Sequence, residues 1–342
     1  MGNYMTKITI KDVAKKAGVS TATVSRVFNK QGPISEKTEQ AVLEAARELN
    51  FAFANSGWKK TSSEPLNIGM LIAGVEKGLQ QNDFFAEVVS GASVEGERRN
   101  ITISIAPLSG DASVQPSIVR QGKVDGLIIA GVPISEEQII SLSHLPVPTV
   151  FIGRYLDHYP LSYVSPENLE GGRIAALHLK ELGHCKVVIL TGPTSIKTFN
   201  DRMRGVQEVF RDCDMTVISK DTFDEAAGYE AIVDLLNKKE EFTAVLSLSD
   251  WMAFGAMRAL KEFSLRVPED VSVIGFSDLP ASSMMVPALT TIRIPQHQLG
   301  ALAVHLVNAL IDGEIIGPVG MFVPLTLINR ASTTRAREIN HD

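Results

Sequence analysis

Six side chains on one short stretch carry the chemistry of base recognition. Between Ser20 and Asn29 the outward positions are Thr21, Ala22, Thr23, Ser25, Arg26 and Asn29. Hydroxyls and a carboxamide supply short donors and acceptors for phosphate oxygens and base edges. The Arg26 guanidinium reaches further. It matches guanine O6 and N7 as a bidentate donor, a pairing worth roughly 1–3 kcal/mol of discrimination. The methyl groups of Thr21 and Ala22 suit a thymine methyl. A helix carrying this set is equipped to lie in a DNA major groove.

Two short amphipathic segments must hold that helix. Thr9 and Asp12 stand at capping-box spacing, which predicts a helix start there. Ile10, Val13, Ala14 and Ala17 keep one face apolar, and Gly18 supplies a left-handed stop. Ser20 then caps a second helix, through which Val24 and Val27 continue the inner stripe. Ser35, followed by Val42, Ala45, Ala46 and Leu49 at helical spacing, predicts a third helix. Residues 1–50 therefore read as an all-α helix-turn-helix headpiece. Charge divides the chain in the same place. Residues 1–63 hold ten Lys and Arg against five Asp and Glu, whereas the remainder holds 23 against 34. A basic end on an acidic body offers one surface to phosphate.

The rest of the 342 residues reads as α/β. Continuous apolar runs at 66–72, 101–107, 125–131, 149–153, 186–192, 244–249 and 271–277 alternate with helical stretches, the pattern of doubly wound parallel sheets. The series breaks into two comparable halves near Leu156 to Leu161, which predicts two lobes with a ligand cleft at the carboxyl ends of the strands. Two cysteines, Cys185 and Cys213, are too few for a disulfide framework or a metal site, and their sparse use suits a reducing cytoplasm. Neither a membrane-spanning apolar run nor a basic-then-apolar leader is present, so the expected location is cytoplasmic. No glycine-rich phosphate loop, Walker sequence or Ser/His/Asp motif is found, and His178 and His184 do not share a metal-binding face. An enzyme is not expected, nor a cofactor.

The stretches IKDVAKKAGVSTATVSRVFN and ISEKTEQAVLEAARELNF resemble the headpiece of the LacI/GalR family of bacterial transcriptional regulators. Further along, ELGHCKVVILTGP, DRMRGVQEVF, VPEDVSVIGFSDLP, PALTTIRIP and LINRAST match its signature stretches. The resemblance implies Thr21, Ala22 and Arg26 as base readers and Thr23, Ser25 and Asn29 as phosphate anchors. It also implies a body like a periplasmic sugar-binding protein, with the chain recrossing near 290–294 and 320–324. Lobe one would then span about 66–160 and 294–321, and lobe two about 161–293 and 322–338. Resemblance places Phe84, Phe85, Arg202, Ser249, Asp250, Trp251 and Asp278 in the effector cleft. A guanidinium, a carboxylate and aromatic faces suit a polyhydroxyl ligand. Ser277 and Ser249 replace the acidic residue and the asparagine that many members carry, which admits a sugar acid, phosphosugar or nucleoside beside a neutral sugar.

Residues 51–65 form the expected hinge. Counting from Phe51, the family's usual proline is Phe53 and its usual leucine wedge is Lys60. Two readings stay open: a weakly ordered hinge with Lys59 and Lys60 against phosphate, or insertion of Trp58 into the minor groove. The resulting expectation is a homodimeric repressor on a near-palindromic operator, controlled by a small polar effector. A free solute-binding protein and a regulator controlled by a protein corepressor are the alternatives.

Overall fold

The computed structural model describes residues 10–29, 34–48, 65–74, 83–108, 116–131 and 134–337. In the headpiece, α1 (Ile10–Ala17), α2 (Thr21–Asn29) and α3 (Glu36–Glu48) enclose a small core of Val13, Ala14, Val24, Val27, Val42, Ala45 and Ala46. Gly18, at φ +67°, ends α1, and the Val19 N–H returns to the Ala14 carbonyl at 3.0 Å. That six-to-one bond is the Schellman closure. Ser20 Oγ accepts the Thr23 N–H at 3.0 Å, and Ser35 Oγ accepts that of Thr38 at 3.3 Å. Both caps lie where the sequence places them. The predicted Thr9 cap and Leu49 fall outside the described residues.

The body is two six-stranded sheets of identical winding. Lobe one contains β1 (Leu66–Ala73), α4 (Asp83–Arg98), β2 (Ile101–Pro107), α5 (Ser117–Arg120), β3 (Gly126–Gly131), α6 (Glu136–Ser143), β4 (Thr149–Ile152) and β5 (Ser162–Pro166). The chain then crosses into lobe two, through α7 (Asn168–Glu181), β6 (Lys186–Thr191), α8 (Lys197–Val209), β7 (Asp214–Ser219), α9 (Glu225–Asn237), β8 (Ala244–Ser247), α10 (Asp250–Glu262), β9 (Ser272–Ser277), α11 (Pro280–Met284) and β10 (Thr290–Arg293). It returns to lobe one for α12 (Gln296–Asp312) and β11 (Gly320–Val323), and ends with β12 (Thr326–Ile328) in lobe two. The strand orders are β11-β5-β4-β3-β1-β2 and β12-β10-β9-β8-β6-β7. Among the described residues, every pairing between these strands is parallel except β10 with β12.

Two expectations are corrected here. Ser162–Pro166 pairs with β4 and β11, so the first crossing follows Pro166 instead of residue 160. These five residues are short and partly polar, and only their partner strands place them. Cys185 and Cys213 are joined in a disulfide, with Cα atoms 4.8 Å apart. The parallel register sets Lys186 opposite Asp214, which brings the preceding cysteines side by side.

Three helix pairs make their close approach through glycine. Across α7 and α8, a Cβ on Gly172 would lie 2.0 Å from the Arg202 carbonyl oxygen, and one on Gly205 would lie 2.0 Å from that of Leu169. Gly228 with Gly255 does the same for α9 and α10, and Gly91 with Gly300 for α4 and α12. Absence of a side chain lets the backbones touch. The first of these contacts positions Arg202.

Candidate functional site

On the headpiece, Val24 and Val27 are turned into the core, at 0% and 5% exposure. That orientation leaves Thr21, Ala22 and Arg26 exposed together on the opposite face of α2. Thr23 and Ser25 are half-buried, and the Thr23 hydroxyl lies 2.8 Å from Ser20 Oγ, which couples it to the cap. Asn29 ends α2, but its side chain lies outside the described residues, as do Trp58, Lys59 and Lys60.

In the body, the close approach of α7 and α8 brings Arg202 over the carboxyl end of β8. It is buried, at 6% exposure. Nε donates to Asn168 Oδ1 at 2.9 Å and Nη1 to the Leu248 carbonyl at 2.7 Å. The guanidinium lies 3.9 Å from the Phe276 ring centroid. Burial pulls its pKa down to about 9, against the favourable field of Asp250, so it stays cationic at neutral pH. Among the described residues, Nη2 has no partner.

Asp250 departs from the expected ligand-facing carboxylate. It is fully buried, and its oxygens accept from the Leu279 N–H (2.8 Å), Ser282 Oγ (2.8 Å) and Thr291 Oγ1 (2.6 Å). Desolvation raises its pKa, while those three donors oppose the shift. Its work is to tie α10 to β10 and the turn after β9. Asp278 sits in that turn at φ +58°, after Ser277 at φ +141°. Its carboxylate is gripped by Arg293 Nε and Arg330 Nη2, both at 2.6 Å. Two consecutive non-glycine residues in this region hold strain that the arginines and Asp250 must offset. Ser249 turns inward to the Phe223 carbonyl at 3.1 Å, whereas Trp251 is exposed and packs edge-on against Phe254 at 5.5 Å.

The phenylalanine pair divides. Phe85 is 8% exposed and belongs to the large core cluster that runs through both lobes, so its ring is committed to packing. Phe84 is half-buried and packs both against that cluster and against a second core that belongs to lobe two alone, with its ring edge-on to Phe85 at 5.1 Å. It is therefore the member of the pair at the seam.

Other seam residues went unread in the sequence. Tyr155, beyond β4, donates to Asp201 Oδ2 on α8 at 2.6 Å. Lys197 on α8 reaches Asp157 and Asp201, each at 3.1 Å, and Thr198 donates to the Gly153 carbonyl at 3.4 Å. Tyr155 also stacks on Tyr163 at 5.0 Å, and Phe322 closes its edge at 5.4 Å. Burial and the Asp201 carboxylate raise the Tyr155 pKa, so it remains a donor. Arg154, its neighbour, is 5% exposed. No short motif marks these residues. They meet only because β4 and α8 face each other across the lobes.

Residues 9–52 match the model of bacterial regulatory proteins of the lacI family, and residues 176–333 match a periplasmic binding protein-like domain. The chain is 31% identical over 305 residues to the HTH-type transcriptional repressor PurR of Haemophilus influenzae (strain PittEE), covering 87% of this chain and 89% of that one. It is 32% identical over 339 residues to the ribose operon repressor of Halalkalibacterium halodurans, covering 95% and 97%. The lac repressor dimer bound to operator and the anti-inducer ONPF superposes with a TM-score of 0.72 at 27% identity, over 96% of this chain and all of that one. A helix-turn-helix fastened by its valines, a doubly wound two-lobed body and these likenesses agree: the chain belongs to the LacI family of bacterial regulatory proteins, with a DNA-binding headpiece and a ligand-binding body.

Proposed function

We propose that the chain is a homodimeric repressor whose grip on a near-palindromic operator is set by a small polar effector between the lobes. The exposed trio Thr21, Ala22 and Arg26, held outward by buried Val24 and Val27, is the observation that carries this reading. In it, Thr21, Ala22 and Arg26 read base edges. Thr23, Ser25 and Asn29 hold phosphates, with Lys59 and Lys60 following the backbone through the hinge. Two-fold symmetry of the protein requires two-fold symmetry of the site. The ribose repressor among the relatives and the operator-bound dimer among the neighbours support the assignment.

In the cleft, Arg202 holds effector oxygens through its free edge and Phe84 covers the apolar face. Ser249, Asp250, Trp251 and Asp278 shape the wall of lobe two, and Phe85 backs Phe84. The effector acts by its differential affinity for two lobe arrangements, which Tyr155, Lys197 and Asp201 hinge together. A DNA-binding repressor works in the cytoplasm, and no catalytic role enters this reading.

The test is to select duplexes from a random pool with the full chain, then titrate salt and sugars. Two-fold-symmetric winners, affinity falling steeply with salt, and a ligand response lost in Arg202→Ala with DNA binding retained are the expected results. A chain that binds sugar and no duplex, with or without ligand, is a solute-binding protein instead.

A further inference from the structure

The chain has two cysteines, and the fold joins them in one disulfide. Cys185 stands immediately before β6 and Cys213 immediately before β7. The Asp214 N–H donates to the Cys185 carbonyl at 2.8 Å, so the register of the two strands begins at the bond itself. Cα atoms 4.8 Å apart are bridged without moving the backbone. Cys185 is exposed and Cys213 half-buried. A small reagent from solvent therefore meets Cys185 first.

The bond closes a corner that packing holds loosely. Among the described residues β7 pairs with β6 alone, as the edge strand, and Asp214, Thr216, Val217 and Ser219 are exposed along it. Such a strand opens locally more readily than the centre of a sheet. Upstream of Cys213 lies the end of α8. Phe210 is fully buried and its N–H returns to the Val206 carbonyl at 3.1 Å, while the Cys213 N–H donates to the Phe210 carbonyl at 3.0 Å. The same helix carries Lys197, Thr198 and Asp201 at the seam and Arg202 in the cleft. The disulfide thus fixes one end of the helix whose other half joins the lobes. A DNA-binding regulator works among the reductants of the cytoplasm, where a disulfide that forms is as a rule transient. An exposed sulfur gives those reductants access.

We propose that Cys185 and Cys213 form a reversible oxidation site whose closed state stiffens the corner between α8 and β7. Hydrogen peroxide closes it. The Cys185 thiolate attacks the O–O bond, keeps one oxygen as a sulfenic acid and releases the other as water. The Cys213 thiol then attacks the same sulfur and expels that oxygen as a second water. The two thiols lose two electrons and two protons, and one peroxide becomes two waters. A dithiol reopens the bond by exchange. Its thiolate attacks the Cys185 sulfur, Cys213 leaves as a thiol, and the second thiol of the reductant frees Cys185 and departs in the reductant's own disulfide. Reversibility rests on the regulator reading above, which places the chain in a reducing compartment.

The test equilibrates the full chain in glutathione buffers from wholly reduced to wholly oxidised, then quenches with acid, alkylates the free thiols and weighs the protein. The pair should pass from open to closed within that series, as a bond inside one chain, and hydrogen peroxide should close it as well. The closed loop spans 28 residues, so the closed form should melt about 5–10 °C above the open one. Amide exchange should slow by about tenfold or more at residues 205–219 on closing and stay unchanged at 10–29. The double variant Cys185→Ser with Cys213→Ser should match the open wild type in every buffer. A bond that survives a large excess of reduced glutathione is a permanent staple and overturns the proposal. Thiols that stay open in peroxide, or that link two chains, overturn it too. So does a closed form that melts and exchanges as the open one does, or a double variant that still responds to oxidation. No step uses DNA, so failure to bind any duplex would sink the regulator reading separately.

Discussion

Gly172→Ala tests whether helix contact builds the cleft. A Cβ there would lie 2.0 Å from the Arg202 carbonyl oxygen, 2.9 Å from its carbon and 3.1 Å from its Cα. Rigid backbone receives it, so α7 and α8 must separate by about 1.4 Å to restore ordinary contact. Overpacking of this kind costs about 1–3 kcal/mol. For a lobe of this size that lowers the melting temperature by roughly 2–4 °C per kcal/mol. The same displacement stretches the 2.9 Å bond from Arg202 Nε to Asn168, which spans those two helices. Effector affinity should therefore fall together with stability. Scanning calorimetry and effector titration read the two effects. Leu177→Ala, on the exposed side of α7, serves as the control and should leave effector affinity in place. A Gly172→Ala protein that melts within about 1 °C of wild type and binds effector normally would refute the reasoning.

Arg26→Ala should weaken specific DNA binding by roughly 1–3 kcal/mol and blur preference at one base pair per half-site, as read by competition gel shift. Unchanged preference there would remove Arg26 from the readers. Tyr155→Phe deletes the donor to Asp201 and should cost about 1.5–3 kcal/mol, with faster hydrogen exchange confined to residues around 153–157 and 197–204. Uniform exchange rates would deny the seam this bond. His178 and His184 fasten the C-terminal segment through Thr333 and Thr334, and burial lowers both pKa values below 6.5. The folded protein thus keeps them neutral, while the unfolded chain takes up protons below that value. The stability they contribute is present above pH 6.5 and declines as pH falls below it, and His184→Gln should flatten part of that slope in thermal melts. An unaltered slope would assign the acid sensitivity elsewhere.

The headpiece was legible because its signals are short in range. Gly18, Ser20 and Ser35 each act on a backbone group within a few positions, and the valines of α2 face inward through helical periodicity alone. The central strands β1, β3, β4, β6, β8 and β9 were legible for a similar reason, since burial on two faces leaves an unbroken apolar run. The cleft was not. Resemblance located Arg202, but its bonds to Asn168 and Leu248 depend on a glycine contact between helices 30 residues apart in the chain.

Asp250 looks like a ligand carboxylate in the sequence. Three donors from later segments convert it into an internal tie. Phe84 and Phe85 are chemically identical neighbours, and only the packing of α4 sends one to the core and the other to the seam. The place of Ser162–Pro166 in lobe one and the pairing of Cys185 with Cys213 follow from strand register. The amino-acid order by itself determined the helix-turn-helix and the doubly wound class, because capping and periodicity act locally. Which charged groups are paired, and by which partners, was decided by contacts that exist only once distant segments meet.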